Sequence, residues 1–395
     1  MFKRVILSKI NIFLETNDIL LLYGARQVGK TSLMKMIQSD YIKVKSYFFD
    51  LENPDYLNLL NQNPDIFVQY LKSYNNWNES EKIVIFIDEI QYLENPTNFL
   101  KYIYDKYANI KLIVSGSSTL EIRGKLGDSL VGRLMKFDIY PLSFEEFLVF
   151  KGKDNLASLV GKETKLEIIN NELHFFYEEY LKFGGYPKVV LANDMQIKKE
   201  YLKQIYNTYI EKDIKDIGKI KEVEKFNRLI KLLANQSSNL LNISEISNTV
   251  GVTMKTTNEW LFLLENTFVI KLITPFSTNL RGELTKMPKI FFIDNGIRNF
   301  IDNDFELTGN SFENSFFNYL NNSYKYEKIH FYRTQDKKEI DFILNKNPYE
   351  LKLSYNGKPL TALNYFKEKY DKTGNVVTLH KKENDRYRIL YPWEA

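Results

Sequence analysis

Through the first 140 residues, short wholly apolar runs alternate with amphipathic stretches. Ile19-Leu20-Leu21-Leu22-Tyr23, Tyr47-Phe48-Phe49, Ile83-Val84-Ile85-Phe86-Ile87 and Leu112-Ile113-Val114 show no polar face. Such runs predict strands of a parallel sheet covered by helices on both sides. Residues 32–37, 65–74 and 96–107 read as the intervening helices, so the region predicts an α/β domain. Beyond it the pattern turns helical. Ser143, with Glu146 three residues later, reads as a capping box opening a helical region to about residue 220, broken at Gly184-Gly185-Tyr186-Pro187. Phe226, Leu229, Ile230 and Leu233 then have helical spacing. Residues 243–248 read as a second helix, Val250-Gly251-Val252 as a tight turn, residues 253–264 as a third helix and residues 268–273 as a wing strand, the order of a winged helix. Farther on, residues 339–344 and 349–353 alternate like half-buried strands about a turn.

The chemistry begins where the first strand ends. Gly24-Ala25-Arg26-Gln27-Val28-Gly29-Lys30-Thr31 fits the Gly-x4-Gly-Lys-Ser/Thr pattern of a phosphate loop, and a helix follows from Ser32. Two glycines let the backbone turn its N–H groups inward, and the helix start adds partial positive charge. The expected cofactor is therefore ATP with Mg²⁺, held by residues 24–32. Lys30 would reach the β- and γ-phosphates, and the Thr31 hydroxyl would ligate the metal. The run at 83–87 ends in Asp88-Glu89, the form of a Walker B segment, in which Asp88 serves Mg²⁺ and Glu89 orients or deprotonates the attacking water. Asp50 either joins the same network from a strand end or starts a loop. Ser115, in Ser115-Gly116-Ser117-Ser118, reads as a polar sensor of the γ-phosphate or as part of a turn of small residues. Arg133, and less strongly Arg123, could stabilise the transition state in their own subunit or a neighbour's, the latter implying a homo-oligomer; either could instead form a surface ion pair.

Composition narrows the rest. A chain of 395 residues is expected to hold two to four domains. The formal net charge of +4 gives no global basic field, so any nucleic-acid surface must be local. The absence of cysteine excludes disulfides, zinc-thiolate sites and thiol nucleophiles, and fits a reducing cytoplasm. His174, His330 and His380 form no ligand motif in sequence, which leaves metal chemistry to carboxylates with Mg²⁺ or Mn²⁺. Lys3 and Arg4 precede Val5-Ile6-Leu7, but Ser8, Lys9 and Asn11 interrupt any signal segment, and no apolar window reaches membrane-span length.

A second candidate site lies near the C-terminus. Asp341 on one strand, with Glu350 and Lys352 on one face of the next, resembles the core of the PD-(D/E)xK nucleases. There Asp341 and Glu350 would hold Mg²⁺, and Lys352 would position or activate water. Glu313 matches the extra acidic residue such folds carry. Cross-strand salt bridging is the plainer reading. In the third helix, the exposed candidates for DNA contact are Lys255, Thr256, Asn258 and Glu259, with a single cation among them.

Nearly the whole chain resembles prokaryotic AAA-like ATP-binding proteins that join the ATPase to a C-terminal domain of unknown function. The resemblance is carried by residues 24–31, with Ala25 where a proline is usual, and by Asp88-Glu89-Ile90-Gln91 and Ser115-Gly116-Ser117-Ser118. It continues through Gly132-Arg133, Pro141-Leu142-Ser143-Phe144, Gly184-Gly185-Tyr186-Pro187 and Phe292-Ile293-Asp294-Asn295-Gly296. It implies ATP binding and hydrolysis, a winged helix and a nuclease-like C-terminal fold. The expected fold class is α/β: a P-loop NTPase core (parallel sheet, ASCE/AAA-like) at 1–141, a helical lid at 142–220, a winged helix at 221–280 and a restriction-endonuclease-like α/β domain at 281–395. Two functions fit: an ATP-driven switch or motor acting on nucleic acid, with the C-terminal domain binding or cutting it, or an ATP-regulated protein-interaction switch with non-catalytic distal domains.

Overall fold

The apolar runs of the first 140 residues form one parallel sheet. Its strands are β1 (Ile19–Tyr23), β2 (Ser46–Asp50), β3 (Ile83–Asp88), β4 (Ile110–Gly116) and β5 (Leu134–Asp138), in the order β2-β3-β4-β1-β5. Every residue of β1 and β3 is buried, the apolar run of β3 as expected of a covered strand and Asp88 at its end with it. The periodicity gave no sign of β5, an edge strand with one buried residue. The computed structural model describes residues 2–116, 130–277, 287–323, 328–381 and 386–395. The chain divides into two units, Met1–Tyr140 and Pro141–Ala395.

In the first unit, β4 lies between β1 and β3, with Tyr23 opposite Gly116 and Ile87 opposite Val114. The loop after β1, the acidic pair at the end of β3 and Ser115 are thereby brought to one edge of the sheet. The helices Pro54–Asn61, Pro64–Tyr74 and Pro96–Lys106 all start with proline after an asparagine. Asn53, Asn63 and Asn95 accept hydrogen bonds from Asp55, Asp65 and Asn98 backbone N–H groups, so the repeated Asn-Pro pairs set where each helix begins. At the opposite edge, Lys111 Nζ donates to the carbonyls of Phe13, Thr16 and Asp18 at 2.8, 2.7 and 2.6 Å.

The second unit opens with the expected capping box, Ser143 and Glu146 bonding reciprocally at the start of helix Phe144–Phe150. Helices Glu167–Phe183, Pro187–Leu191, Met195–Ile205, Val223–Asn235, Ile243–Val250 and Met254–Asn266 follow. Strands β6 (Ile270–Ile273) and β7 (Lys289–Phe292) pair antiparallel, and Leu240 bridges to Lys289. β6 and β7 lie on either side of residue 280, the boundary expected from sequence. Helices Asn295–Asp302 and Gly309–Ser323 lead into β8 (Ile329–Arg333), β9 (Glu339–Leu344) and β10 (Asn347–Ser354), successive antiparallel neighbours. Helix Thr361–Tyr370 then crosses to β11 (Asn375–His380), parallel to β10, and β12 (Arg388–Leu390) completes the order β12-β11-β10-β9-β8. The two glycine motifs distant in sequence meet here. Gly185 N–H donates to Asp294 Oδ2 at 2.7 Å, and a Cβ on Gly296 would lie 2.1 Å from the Phe183 carbonyl oxygen. Among the described residues no helix is long and apolar enough to cross a membrane.

Candidate functional site

The loop after β1 has the backbone of an anion cradle. Gln27 and Gly29 take φ values of 62° and 95°, the left-handed region in which Gly29 costs little, on either side of Val28. Helix Lys30–Met36 starts directly afterward, with no side chain capping its first N–H groups. Gly24 is required by packing: a Cβ there would lie 2.1 Å from the Ile139 carbonyl oxygen. Ala25 is buried where the resemblance led to proline, and its carbonyl, with that of Gly24, accepts from Lys30 Nζ at 2.9 and 3.1 Å. Burial pulls the Lys30 ammonium below its ordinary value, against the pull of Glu89 and Asp88. Ser32 is exposed in the first turn, and Arg26 bonds to Tyr92.

The acidic pair stands against this loop. Thr31 Oγ1 donates to Asp88 Oδ2 at 2.6 Å, and Ser115 Oγ donates to Asp88 Oδ1. Burial pushes the Asp88 carboxyl up, while those two hydroxyls stabilise its charged form. Glu89 is left-handed, with φ of 57°, which turns its side chain out of the strand alternation; its N–H donates to Ser115 Oγ at 3.1 Å and its carboxylate accepts from Gln91. Asp50 caps the turn after β2 by accepting from Glu52 N–H at 3.0 Å, the loop-starting reading.

The arginine expectation is corrected for the chain's own site. Arg133 precedes β5, and its carbonyl accepts from Ile19 N–H at the start of β1, the edge opposite the phosphate loop. Its guanidinium pairs with Asp105 at 2.8 Å and lies 5.8 Å from the Tyr104 ring centre. Arg123, Ser117 and Ser118 lie outside the described residues. One residue the sequence reading used only to weigh a signal segment belongs to this site. Buried Arg4 donates to the carbonyls of Val28 and Tyr140, both at 2.9 Å, and so braces the phosphate loop from behind.

The second candidate site also assembles, with an addition. Asp341 Oδ2 accepts from Leu351 N–H at 2.8 Å, and Glu350 pairs with Lys352 at 2.7 Å. Lys289, from β7, enters the same cluster, 2.6 Å from Glu339 and 3.8 Å from both Glu313 and Asp341. Burial alone would pull the Lys289 ammonium down, but Asp341, Glu313 and Glu339 hold it above its ordinary value. Burial, then the Asp341 charge, push both Glu313 and Glu350 up. The carboxylates expected to hold a metal, Asp341 and Glu350, are here bonded to the Leu351 N–H and to Lys352. Among the described residues no three His, Cys, Asp or Glu side chains are placed to hold an ion, and the lysines take up the carboxylates. Nothing in the spacing of Lys289 marked it; its partners are brought to it by the sheet.

On the helix Met254–Asn266, Lys255, Asn258 and Glu259 are exposed as expected, whereas Thr256 is half-buried and bonded to Thr253. Met254 and Phe262 are exposed there too. His174 and His380, remote in sequence, lie with ring centres 5.5 Å apart.

Residues 16–148 match the AAA domain family, residues 175–308 a domain of unknown function (DUF8612), and residues 308–394 another (DUF4143). An uncharacterized protein of Haemophilus influenzae is 31% identical over 352 residues, covering 85% of this chain and 81% of that protein. An uncharacterized protein of Methanocaldococcus jannaschii is 27% identical over 347 residues, covering 86% of this chain and 75% of that protein. Among solved structures, a Walker-type ATPase of Pyrococcus abyssi is similar with a TM-score of 0.51 at 16% identity, over 76% of this chain and 96% of that one. The sheet core accordingly has the P-loop ATPase fold.

Proposed function

We propose that this chain, which belongs to one family with its uncharacterized Haemophilus influenzae relative and matches the AAA domain over residues 16–148, binds and hydrolyses ATP with Mg²⁺ and couples that cycle to nucleic acid. The observation that carries the reading is the meeting of Lys30, Thr31, Asp88, Glu89 and Ser115 at one edge of the sheet. Thr31 and Asp88, hard oxygen donors already bonded to each other, suit Mg²⁺, which when bound neutralises charge on the β- and γ-phosphates. Lys30 would exchange the Gly24 and Ala25 carbonyls for phosphate oxygens as ATP enters. Glu89 would take the proton of the attacking water. Ser115 holds the Asp88 carboxylate and the Glu89 backbone together, so it fixes the metal ligand relative to the base.

The distal half supports the nucleic-acid part. Three helices followed by the β6–β7 hairpin have the order of a winged helix. The sequence helix Gly309–Ser323, β8, β9, β10, helix Thr361–Tyr370, β11 has the order of a restriction-endonuclease-like fold. With the additional Lys289 set among its carboxylates, we read the latter as a fold that binds without cutting. ATP turnover should therefore rise with added DNA, and plasmid, linear and branched DNA should stay intact with Mg²⁺ or Mn²⁺. Turnover indifferent to DNA would overturn the coupling.

One observation favours a second reading. Met254 and Phe262 stand exposed beside a single cation on the third helix, which suits contact with a protein better than with phosphates. Absence of DNA binding at low salt by the ATP-loaded protein would select it.

A further inference from the structure

The turn after β8 borders a cavity of about 350 Å³ lined by Phe276, Tyr332, Tyr365 and Tyr370, with Arg333 and Lys369 at its walls. A second cavity of about 290 Å³, lined by Leu240, Pro275 and Phe331, shares Arg333, Thr334 and Gln335 with it, so the two flank one segment of chain. Lys369 is exposed and pairs with no carboxylate among the described residues; its ammonium lies 5.9 Å from the Tyr365 ring centre and 5.4 Å from that of Tyr370. Lys338 lies 4.5 Å over Tyr365 while bonded to Asp336 at 2.8 Å, and Lys337 is exposed on the same turn.

Half-exposed rings beside the uncompensated Lys369, with the lining carboxylate Asp336 already bonded to Lys338, define the guest. A cationic ligand is opposed by Lys369, since the carboxylate in the lining is already taken. A purely apolar one would strand the polar lining of Thr334 and Gln335. A planar base attached to a phosphate satisfies both, and the volume lies at the small end of ligand pockets, roughly 300–1,000 Å³, which suits one nucleotide at a time. In a duplex the base faces are stacked inward, so these rings can meet only an unpaired base.

We propose that this cavity binds single-stranded nucleic acid, one base stacking on Tyr365 and the adjoining phosphates meeting Lys369 and Lys337. The proposal rests on the reading that the chain acts on nucleic acid and names the form and the place. The Tyr365 face carries the flexible ends of Lys338 and Lys369, which an incoming base displaces toward its own phosphates.

Fluorescence anisotropy of labelled oligo-dT and oligo-U with the full-length protein tests it, alongside a duplex of equal length. Tyr365→Ala should weaken single-strand binding roughly tenfold, Tyr365→Phe should bind like wild type, and Lys369→Glu should both weaken binding and flatten its salt dependence. Retained folding of Tyr365→Phe separates loss of the ring from loss of structure. Wild-type binding that is unmoved by Tyr365→Ala and Lys369→Glu would overturn the site. Binding of duplex alone would overturn it while leaving the nucleic-acid ATPase intact, and binding of neither form, without stimulation of turnover, would remove both.

Discussion

Thr31 donates to Asp88 at 2.6 Å, joining the phosphate loop to the acidic strand end across 57 positions of sequence. The bond places a neutral and a charged oxygen donor side by side before any ligand arrives. Thr31→Val keeps the shape and removes the hydroxyl. Binding of a fluorescent ATP analogue in chelator should be little changed, while the gain from added Mg²⁺ should be lost. An undiminished Mg²⁺ effect would take Thr31 out of the metal site.

Arg4 should matter to nucleotide binding although it is remote from the motif. Arg4→Met leaves the Val28 and Tyr140 carbonyls without their buried donor, a loss of roughly 1–3 kcal/mol. Where that loosens the loop, ATP affinity should drop about tenfold for each 1.4 kcal/mol. A variant less stable to urea but with wild-type ATP affinity would make Arg4 a brace of the fold alone.

Lys289→Met removes the cation shared by Glu313, Glu339 and Asp341; Glu339 keeps its pair with Arg333, so the loss falls on Glu313 and Asp341 and should cost roughly 3–5 kcal/mol near neutral pH. The vacated carboxylates should then take Mn²⁺. Thermal melts should show Mn²⁺ raising the Tm of Lys289→Met and leaving the wild type unmoved. Equal stabilisation of both proteins, or cleavage of DNA by the wild type that Asp341→Ala abolishes, would contradict the lysine-closed cluster.

Asp294 makes stability depend on pH in the direction opposite to a salt-bridged carboxylate. Burial pushes its carboxyl up to about 6 despite backbone N–H bonds from Gly185, Ile297 and Gly296. The folded chain therefore holds this proton more tightly than the unfolded one, whose aspartate titrates near 4, and stability from this group falls as pH rises from about 4 to about 6. Over that window the loss is roughly 3 kcal/mol. Asn at this position cannot titrate and accepts only one of the two N–H bonds made by the opposite carboxylate oxygens, so Asp294→Asn should be less stable than wild type at pH 4. The gap should narrow by that amount by pH 7 in urea titrations. A gap constant across the range would show that Asp294 titrates as it does in the unfolded chain.

What could be read from the chain was what consecutive residues carry. The phosphate loop, the all-apolar β3 ending in Asp88-Glu89 and the Ser143/Glu146 box each state their own local geometry. The place of Arg133 was not legible because its position after β4 in sequence says nothing of which end of β5 it occupies, and the Ile19 to Leu134 register sets it at the far edge. Lys289, Arg4 and the His174 to His380 approach were illegible for one physical reason: each depends on chain segments brought together by the folded sheets. Gly184 and Gly185 were visible as a break between helices, but their need for small size comes from Asp294 and Leu142, remote in sequence.

Glu89→Gln against Lys30→Ala is the most direct test of ATP hydrolysis at this site, with bound nucleotide and phosphate release measured on the same purified proteins. Wild type should turn ATP over with Mg²⁺, Glu89→Gln should retain bound ATP with turnover lost by a hundredfold or more, on the order of a general base's contribution, and Lys30→Ala should neither hold nor hydrolyse it. Phosphate release by Glu89→Gln at the wild-type rate would contradict the assignment of the base, and ATP bound equally well by Lys30→Ala would contradict the site itself.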